Sequence, residues 1–277
     1  MDNFSLWGFN IPLFALSSEE MIYLKSLPDK LPPIEWIWKE MDRIWDGLKL
    51  NNKILLEGQP IHLFYSHPVW LINGVFSEQD ALSNKYRTNI AHYINSINAK
   101  KVADYGGGFG SLSRKIAMDI PSANVHIIEP FPSNLAKALN SSILNISFHD
   151  DFGYNDFDVC IAQDVLEHVE DPIALAFYIS KHTKTEGFLI FANCFYPVIK
   201  CHLPNTFHLR YTFPFVMRAM GLKKVGNIKG AEYAEVYEKY RHLSLKKARN
   251  AEKVSKIIGP LLNFLASIIS KFLKLFK

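Results

Sequence analysis

The sequence predicts an α/β fold in which helices cover both faces of a mostly parallel sheet. Three observations predict it: short apolar runs alternate with amphipathic stretches after residue 100, a glycine-rich turn follows the first run, and an acid follows the second. Such alternation is typical of a doubly wound sheet. With 48% apolar and 21% charged residues among 277, the composition excludes disordered and collagen-like classes. The three cysteines form no CxxC pair, which argues against structural zinc and for a reducing compartment.

Residues 1–99 are predicted to form a helical amino-terminal cap on the main domain. In the segment 33–50, apolar residues recur at helical spacing behind a Pro-Pro start. A second helix is expected over 77–98, with Asp80 as its capping-box partner. No amino-terminal targeting signal is visible, because the first apolar stretch lacks a basic flank.

Residues 100–240 are predicted to form the core. Five apolar runs, VADY, NVHIIE, NISFH, FDVCIA and GFLIFAN, are expected to be successive buried strands. The runs 222–228 and 231–237 are expected to close the sheet as an antiparallel pair. The result is a seven-stranded, mostly parallel sheet with an antiparallel last strand.

The strongest chemical signal is the turn after the first strand, Asp104-Tyr-Gly106-Gly-Gly108-Phe-Gly110. In doubly wound sheets a ligand binds at the carboxyl ends of the strands, and glycine lets the backbone turn sharply and approach it. A dinucleotide fingerprint has its third glycine one place later, where this chain has Ser111. The acid beside the loop disfavours a phosphate and suits a ligand that carries a cation.

This turn resembles the first motif of class I S-adenosylmethionine-dependent methyltransferases, which have a Rossmann-like fold. The resemblance implies that Asp104 serves the amino acid end of the cofactor while the glycines pass against it. Glu129 ends the second strand, in the family position for binding both ribose hydroxyls. Asp150, after the third strand, is either the acceptor for the adenine amino group or a solvated loop acid. S-adenosylmethionine is therefore the expected cofactor.

The segment 157–172, FDVCIAQDVLEHVEDP, resembles the fourth-motif region of the same family. Gln163 and Asp164 fall at the carboxyl end of its strand, where the family holds the methyl sulfonium. Gln163 is therefore a candidate cofactor contact and Asp164 a candidate catalytic residue. His168 and His208, the latter in a family-like FHLRYT element, are candidates for removing the acceptor proton, since imidazole titrates near neutrality.

The spacing Asp164-x-x-Glu167-His168 supports a metal hypothesis, because residues three and four apart share a helical face. A similar ExxEH element with a later histidine holds a divalent metal in ubiquinone-pathway O-methyltransferases and in small-RNA terminal 2′-O-methyltransferases. The resemblance implies an Mg²⁺ site made by Asp164, Glu167, His168 and His208, with the metal acting as a Lewis acid on the acceptor hydroxyl. The alternative is that Glu167 and His168 only order the active-site loop.

Residues 241–277 are predicted to be a basic amphipathic helical extension. Lys239 to Lys277 contains ten basic residues and one acid, so a net charge of +4 conceals 21 basic and 26 acidic residues elsewhere. In 253–277, lysines follow one stripe and large apolar residues the opposite one, as in a helix lying in a membrane interface. Docking on the body or on a second subunit is the alternative. The longest uncharged run near the carboxyl end, 257–270, is shorter than the about 20 residues that span a bilayer.

The resemblance implies methylation of an oxygen on a small-molecule, sugar or lipid-linked acceptor. The segment PIHLFYSHPVWLINGVFSEQD resembles the front of bacterial methyltransferases of surface-polysaccharide pathways, which favours such a precursor. An RNA 2′-O-methyltransferase is a second hypothesis; the acidic body lacks its basic footprint, so no nucleic acid is expected. A catalytically silent cofactor-binding or membrane-scaffold protein is a third. We expect a cytoplasmic protein, with or without peripheral contact at the inner face of the membrane, as a monomer or a homo-oligomer.

Overall fold

The structure is a computed structural model that describes residues 2–154 and 156–274, the last residue as backbone alone. Its amino-terminal part consists of a hairpin and five α-helices: β1 (Asn3–Leu6), β2 (Phe9–Pro12), α1 (Ser18–Lys25), α2 (Ile34–Gly47), α3 (Gln59–Tyr65), α4 (Val69–Gln79) and α5 (Ala81–Ser96). The hairpin was not predicted, because its two strands have only four residues each. The predicted boundaries of the three regions stay a prediction.

One helix boundary in this part corrects the sequence prediction. Ser77 lies inside α4, and α5 starts only after Asp80, whose extended backbone ends the first helix. The Asp80 carboxylate accepts a hydrogen bond from the Ser83 amide at 2.7 Å. Asp80 is thus the N-cap of α5 itself rather than the partner of an earlier cap.

The core alternates strands and helices as predicted. Its elements are β3 (Lys101–Tyr105), α6 (Ser111–Asp119), β4 (Asn124–Ile128), α7 (Asn134–Asn140), β5 (Ile146–His149), β6 (Phe157–Gln163), α8 (Pro172–Lys181), β7 (Thr183–Ala192), α9 (Phe213–Met220), β8 (Leu222–Ile228), β9 (Ala231–Lys239) and α10 (Leu245–Lys274). Seven of the nine described strands form this sheet in the order β5-β4-β3-β6-β7-β9-β8, and β9 runs antiparallel to both neighbours. The predicted sheet is confirmed; its last strand lies between β7 and β8 rather than at an edge.

The sheet is buried on both faces, which explains why its strands are continuous apolar runs. Along β6, Cys160 and Ala162 belong to the cluster of buried apolar residues on one face of the sheet. Val159 and Ile161 belong to the buried apolar cluster on the other face. The strand order reverses where β3 pairs with both β4 and β6. A doubly wound sheet binds its ligand outside the carboxyl ends of the strands at such a reversal.

The carboxyl-terminal helix α10 has 30 residues, about 45 Å at 1.5 Å per residue. It packs on α8, α9 and a 3-10 helix at Pro204–Leu209. Within 2–154 and 156–274 it is the one helix long and apolar enough to cross a bilayer, by length and composition, and little of its apolar stretch is buried. Phe276 and Lys277, which belong to the predicted amphipathic pattern, lie outside the described residues.

Candidate active site

The glycine turn lies at the reversal point of the sheet. The Gly106 amide donates to the Ile128 carbonyl at 2.9 Å, which joins the turn to the end of β4. Gly106 has a φ of +68°, and a Cβ there would lie 2.7 Å from a Val165 methyl carbon. Gly108 has a φ of +48°, and the nearest atom to a Cβ there would be a backbone oxygen at 3.8 Å. At Gly106 the turn therefore packs tightly between the end of β4 and the segment after β6. At Gly108 the space beside the backbone is open.

Asp104, the last but one residue of β3, places a carboxylate beneath the turn. Its side chain is 3% exposed and accepts a hydrogen bond from the Ser113 hydroxyl of α6 at 2.7 Å. Burial raises the pKa of Asp104 to about 6, against a smaller lowering by this hydrogen bond. Its neighbour is a hydroxyl rather than a cation, so the carboxylate can still pair with a cationic ligand.

Glu129 lies directly after β4 and faces the same turn. One carboxylate oxygen accepts from the Gly108 amide and the other from the Phe131 amide, each at 3.2 Å. These bonds orient the carboxylate, while burial raises its pKa. Each oxygen has a second lone pair, so both can accept from a vicinal diol.

Asp150 follows β5 at the same edge of the sheet, because the Glu129 amide donates to the His149 carbonyl at 2.9 Å. It is exposed on an open cleft of about 390 Å³ lined by residues 148–153. Asp151 instead accepts from the Gly153 amide at 2.8 Å and so closes the local turn. The structure thus makes Asp150 the more available of the two acids.

Asp164 and Gln163 lie across the glycine turn, at the end of β6. Asp164 is a non-glycine residue with a φ of +52°, a strained conformation that clusters at functional sites. Its amide donates to the Ala192 carbonyl at 2.7 Å, and the Gln163 amide nitrogen lies 3.3 Å from its carboxylate. Solvent reaches the carboxylate, yet the enclosing protein raises its pKa to about 6.

Glu167 lies in the next turn and is fully buried. Its Oε1 accepts from the Cys194 amide at 2.7 Å, whereas Oε2 has no hydrogen-bond partner in the described part of the chain. Burial, with the charge of Asp164 as a second cause, raises the pKa of Glu167 to about 8. A buried carboxylate oxygen without a partner is costly and needs an explanation.

Two imidazoles lie beside this carboxylate. Nδ1 of His168 is 3.0 Å from the Cys201 carbonyl, and Nδ1 of His202 is 3.0 Å from the Tyr196 carbonyl. The rings meet edge to face with centroids 4.9 Å apart. Because a carbonyl only accepts, each Nδ1 carries the proton and each neutral ring keeps a lone pair on Nε2. Burial lowers the pKa of both rings, that of His168 to about 3.

His208 does not join this group, which corrects both roles predicted for it. It is buried against α10, where Nδ1 lies 2.7 Å from the Ser255 hydroxyl and Nε2 lies 4.0 Å from Glu252. A Cβ on Gly259 would lie 2.2 Å from the His208 carbonyl oxygen, so α10 covers this residue closely. His202 occupies the expected place instead. His208 was predicted because it lies in a family-like motif, whereas no motif of the sequence includes His202.

The amino-terminal cap supplies one wall of this side of the site. The Trp70 ring lies edge-on to His168 with centroids 6.1 Å apart, and the Tyr65 ring stacks on Trp70 at 5.3 Å. The cap is anchored to the glycine turn by the ion pair between Glu78 and Arg114. The cap aromatics thus reach the histidines, which no local motif could show.

Comparison with known proteins agrees with this geometry. The methyltransferase-domain family Methyltransf_11 matches residues 103–191. The ubiquinone biosynthesis O-methyltransferase of Erwinia tasmaniensis is 30% identical over 135 residues, which are 45% of this chain and 54% of that protein. The chain thus spans about half the length of this curated relative.

A solved structure supports the fold. The mitomycin 7-O-methyltransferase MmcR is 16% identical and aligns with a TM-score of 0.50 over 81% of this chain and 73% of its own. Together with the strand order and the acidic glycine turn, the family match shows that residues 103–191 belong to a class I S-adenosylmethionine-dependent methyltransferase domain.

Proposed function

We propose that this protein transfers the methyl group of S-adenosylmethionine to an oxygen atom of a small-molecule or lipid-linked acceptor. The observation that carries the proposal is the pair of carboxylates, Asp104 and Glu129, held around an open glycine turn at the reversal point of the sheet. One carboxylate suits a cation and the other a diol, and the cofactor bears both groups.

Each of the proposed cofactor residues binds a different part of the ligand. Asp104 binds the ammonium end, Glu129 accepts from both ribose hydroxyls, and Asp150 accepts from the adenine amino group at the cleft. Gln163 lies at the end of β6, next to the methyl position. When bound, S-adenosylmethionine supplies a methyl group already activated by its sulfonium, so the protein has mainly to position the acceptor and remove a proton.

Asp164 is the proposed proton acceptor. It lies across the glycine turn, and its neighbour Val165 would contact a Cβ on Gly106. With the methyl group supplied by bound S-adenosylmethionine, the Asp164 carboxylate would accept the proton that the acceptor hydroxyl loses on methylation. His168, whose Nε2 keeps its lone pair, is the second candidate.

The acceptor is proposed to lie against Tyr65 and Trp70. Stacked aromatic rings suit the apolar face of a sugar or an aromatic ring. The two relatives are named as O-methyltransferases, which supports oxygen over nitrogen or carbon. A surface-polysaccharide precursor stays a prediction from the cap sequence. Mg²⁺ has no part in this proposal, because His208 lies apart from the other ligands expected for it.

The test is calorimetry of the full chain with S-adenosylhomocysteine. Wild type should bind with one site, Gly108→Arg should abolish binding by filling the open side of the turn, and Glu129→Ala should weaken it about 10-fold or more. Glu35→Ala, an exposed acid of the cap, is the matched control and should change nothing. Absence of binding to a folded wild-type protein would overturn the proposal.

We also propose that α10 attaches the protein to an anionic membrane surface. One face of α10 docks on the body through side chains such as Ser255 and Asn263, which bond to His208 and the Phe207 carbonyl. A second face stays exposed; its large apolar residues are Val254, Ile257, Ile258, Leu261, Phe264, Leu265, Ile268, Ile269, Phe272 and Leu273. Lys253, Lys256 and Lys271 are exposed along its border. Docking therefore leaves a basic-edged apolar face exposed to solvent, which is the arrangement of a helix that binds an anionic lipid surface.

Sedimentation with phosphatidylserine-containing and neutral vesicles tests this attachment. Leu265→Glu/Phe272→Glu should abolish binding to the anionic vesicles without touching the docked face, whereas Ile22→Glu, on an exposed apolar residue of α1, should not. Light scattering on the same proteins tests the alternative that a second copy of the chain covers this face. A wild-type dimer that the double variant dissociates, with no vesicle binding, would show that a second copy covers this face.

A further inference from the structure

We propose that Arg210 binds a phosphate group of the acceptor, at the end of the molecule from which the last turns of α10 project. The surface formed by Arg210, Tyr196 and Tyr211 is called the phosphate site below. This inference rests on the proposed function and deepens it, because it names the chemical class of the acceptor.

Two tyrosine rings hold the Arg210 side chain. Its guanidinium carbon lies 4.6 Å from the ring centroid of Tyr196 and 5.1 Å from that of Tyr211. A ring face attracts a cation but carries no net charge, so the guanidinium keeps its charge and its fork of N–H donors for an anion. The two rings are 40% and 46% exposed, so a ligand can reach the guanidinium from solvent.

The Arg210 side chain has no anionic partner within residues 2–154 and 156–274. By contrast, Arg43, Arg114 and Arg249 each pair with a carboxylate. An arginine that is positioned by aromatic rings and left unpaired is suited to bind the oxygens of a phosphate group bidentately. Because the rings already restrict the side chain, less conformational entropy is lost when the ligand binds.

Tyr196 connects the phosphate site to the acceptor side of the active site. Its carbonyl oxygen lies 3.0 Å from Nδ1 of His202. Interaction with the Cys194 thiol, followed by burial and by the charge of Asp164, raises the pKa of Tyr196 to about 12, against a lowering by Arg210. Arg210 and the proposed proton acceptor Asp164 therefore both lie within electrostatic reach of one tyrosine. An acceptor with its hydroxyl at Asp164 can place a phosphate group at Arg210.

The course of α10 brings its exposed end to the same part of the molecule. The helix begins beside the end of α9, where the Ser244 amide donates to the Met220 carbonyl at 2.8 Å. At Asn263 it has reached the segment before α9, and that side chain donates to the Phe207 carbonyl at 3.0 Å. Residues 264–274 continue for about 16 Å at 1.5 Å per residue, and almost all of them are exposed. The proposed membrane-binding end of α10 therefore projects beside the phosphate site.

This position favours phosphate over other anions. Phosphate is the common anionic group at the surface of a membrane, and the arginine fork matches its geometry. The exposed aromatic residues Tyr196, Tyr211 and Phe215 suit the boundary between lipid and water, where one end of a ring is apolar and the other is wet. The phosphate group belongs either to a lipid-linked acceptor or to a soluble sugar phosphate, and the experiment distinguishes the two.

The experiment is calorimetry of the full chain with two phosphate monoesters, dihexanoyl phosphatidic acid below its micelle concentration and glucose 1-phosphate. Wild type should bind at least one of them, and Arg210→Gln should bind it about 10-fold or more weakly, because a charge-assisted contact is lost. Arg210→Lys keeps the charge without the fork and should show a smaller loss. Arg218→Gln, at an exposed arginine of α9, is the matched control and should bind within twofold of wild type.

The outcomes separate the alternatives. Failure of the wild type to bind either ester, or equal losses in Arg210→Gln and Arg218→Gln, would overturn the phosphate site. Tighter binding of phosphatidic acid would support the site with a lipid-linked acceptor, and tighter binding of glucose 1-phosphate would support it with a soluble one.

Titration of the same proteins with S-adenosylhomocysteine distinguishes failure of this inference from failure of the proposed function. Arg210→Gln should bind S-adenosylhomocysteine within twofold of wild type, since Arg210 lies on the acceptor side. A wild-type chain that binds a phosphate ester through Arg210 but no S-adenosylhomocysteine would contradict the proposed function and leave the phosphate site supported.

Discussion

The two sides of the candidate site are built differently. The proposed cofactor side consists of Asp104, the turn 106–110, Glu129 and Asp150, all at the ends of three adjacent parallel strands. The acceptor side takes Tyr65 and Trp70 from the cap, Glu167 and His168 from the turn after β6, and His202 from the loop after β7.

This difference decides what holds each side in place. On the cofactor side, strand pairing and main-chain amides orient the carboxylates, so the geometry follows from the sheet itself. On the acceptor side, loops are held by other loops and by α10, which covers the 3-10 helix directly after His202. Changes on one side should therefore leave the other intact, which four predictions test.

The largest effect is expected for Asp104→Asn. Loss of a charged partner for the cofactor ammonium should weaken S-adenosylhomocysteine binding about 10- to 100-fold. Removing a buried ionised group should also raise the free energy of unfolding by about 1–3 kcal/mol at pH 7.5. Calorimetry and urea unfolding measure both. Asp119→Asn, a partly exposed acid paired with Lys115, should change neither by much.

Gly259→Leu should break the acceptor side alone. Its Cβ would lie 2.2 Å from the His208 carbonyl, so α10 must move off the 3-10 helix that follows His202. We expect urea unfolding to show about 1–3 kcal/mol lower stability, and calorimetry to show an S-adenosylhomocysteine affinity within twofold of wild type. Ser267→Leu introduces the same side chain at an exposed position of the same helix and serves as the control. A 10-fold or greater loss of S-adenosylhomocysteine affinity would contradict the separation of the two sides.

A pH titration should report the cofactor side. With the pKa of Asp104 raised to about 6, its carboxylate is ionised at pH 7 and protonated at pH 5, so S-adenosylhomocysteine affinity should fall about 10-fold between them. Asp104→Asn should remove this dependence.

The effect of Asp104 on stability has the opposite sign. Because its pKa is higher folded than unfolded, the folded chain holds the proton more tightly. Its stabilising contribution is present below pH 3.8 and is lost as the pH rises through about 6.

The smallest effect separates the two acids after β5. Asp150→Ala should weaken S-adenosylhomocysteine binding about 3- to 10-fold by removing the acceptor for the adenine amino group, as for one hydrogen bond. Asp151→Ala should stay within twofold, since its side chain bonds to the Gly153 amide instead. Calorimetry measures the S-adenosylhomocysteine affinity of both variants. Equal affinities would show that Asp150 is a solvated loop acid that does not bind adenine.

The sequence-based prediction succeeded to different degrees on the two sides of the site. The glycine turn, Glu129 and Asp150 could be placed from the sequence, because parallel pairing brings successive strand ends to one edge. His208 was assigned from a motif, and the structure turns it toward Ser255 of α10 instead. Nothing local distinguishes the two histidines, since their directions depend on how the loop after β7 packs.

The carboxyl-terminal helix α10 also shows that local sequence does not predict which surface a segment packs against. Its amphipathic pattern predicted a helix, with docking and membrane contact as alternatives. In the structure, one face docks and another stays exposed, so the two alternatives concern different faces of one helix. Periodicity reveals that a face is apolar, but not whether protein covers it.

By itself, the sequence determined the sheet, its cofactor edge and the basic amphipathic end, since each depends on short-range periodicity and on glycines and acids at strand ends. Only the tertiary structure decided that His202, and not His208, meets Glu167 and His168 beneath Trp70. The physical reason is that these side chains come from segments far apart in sequence, and their meeting depends on the packing of whole helices and loops.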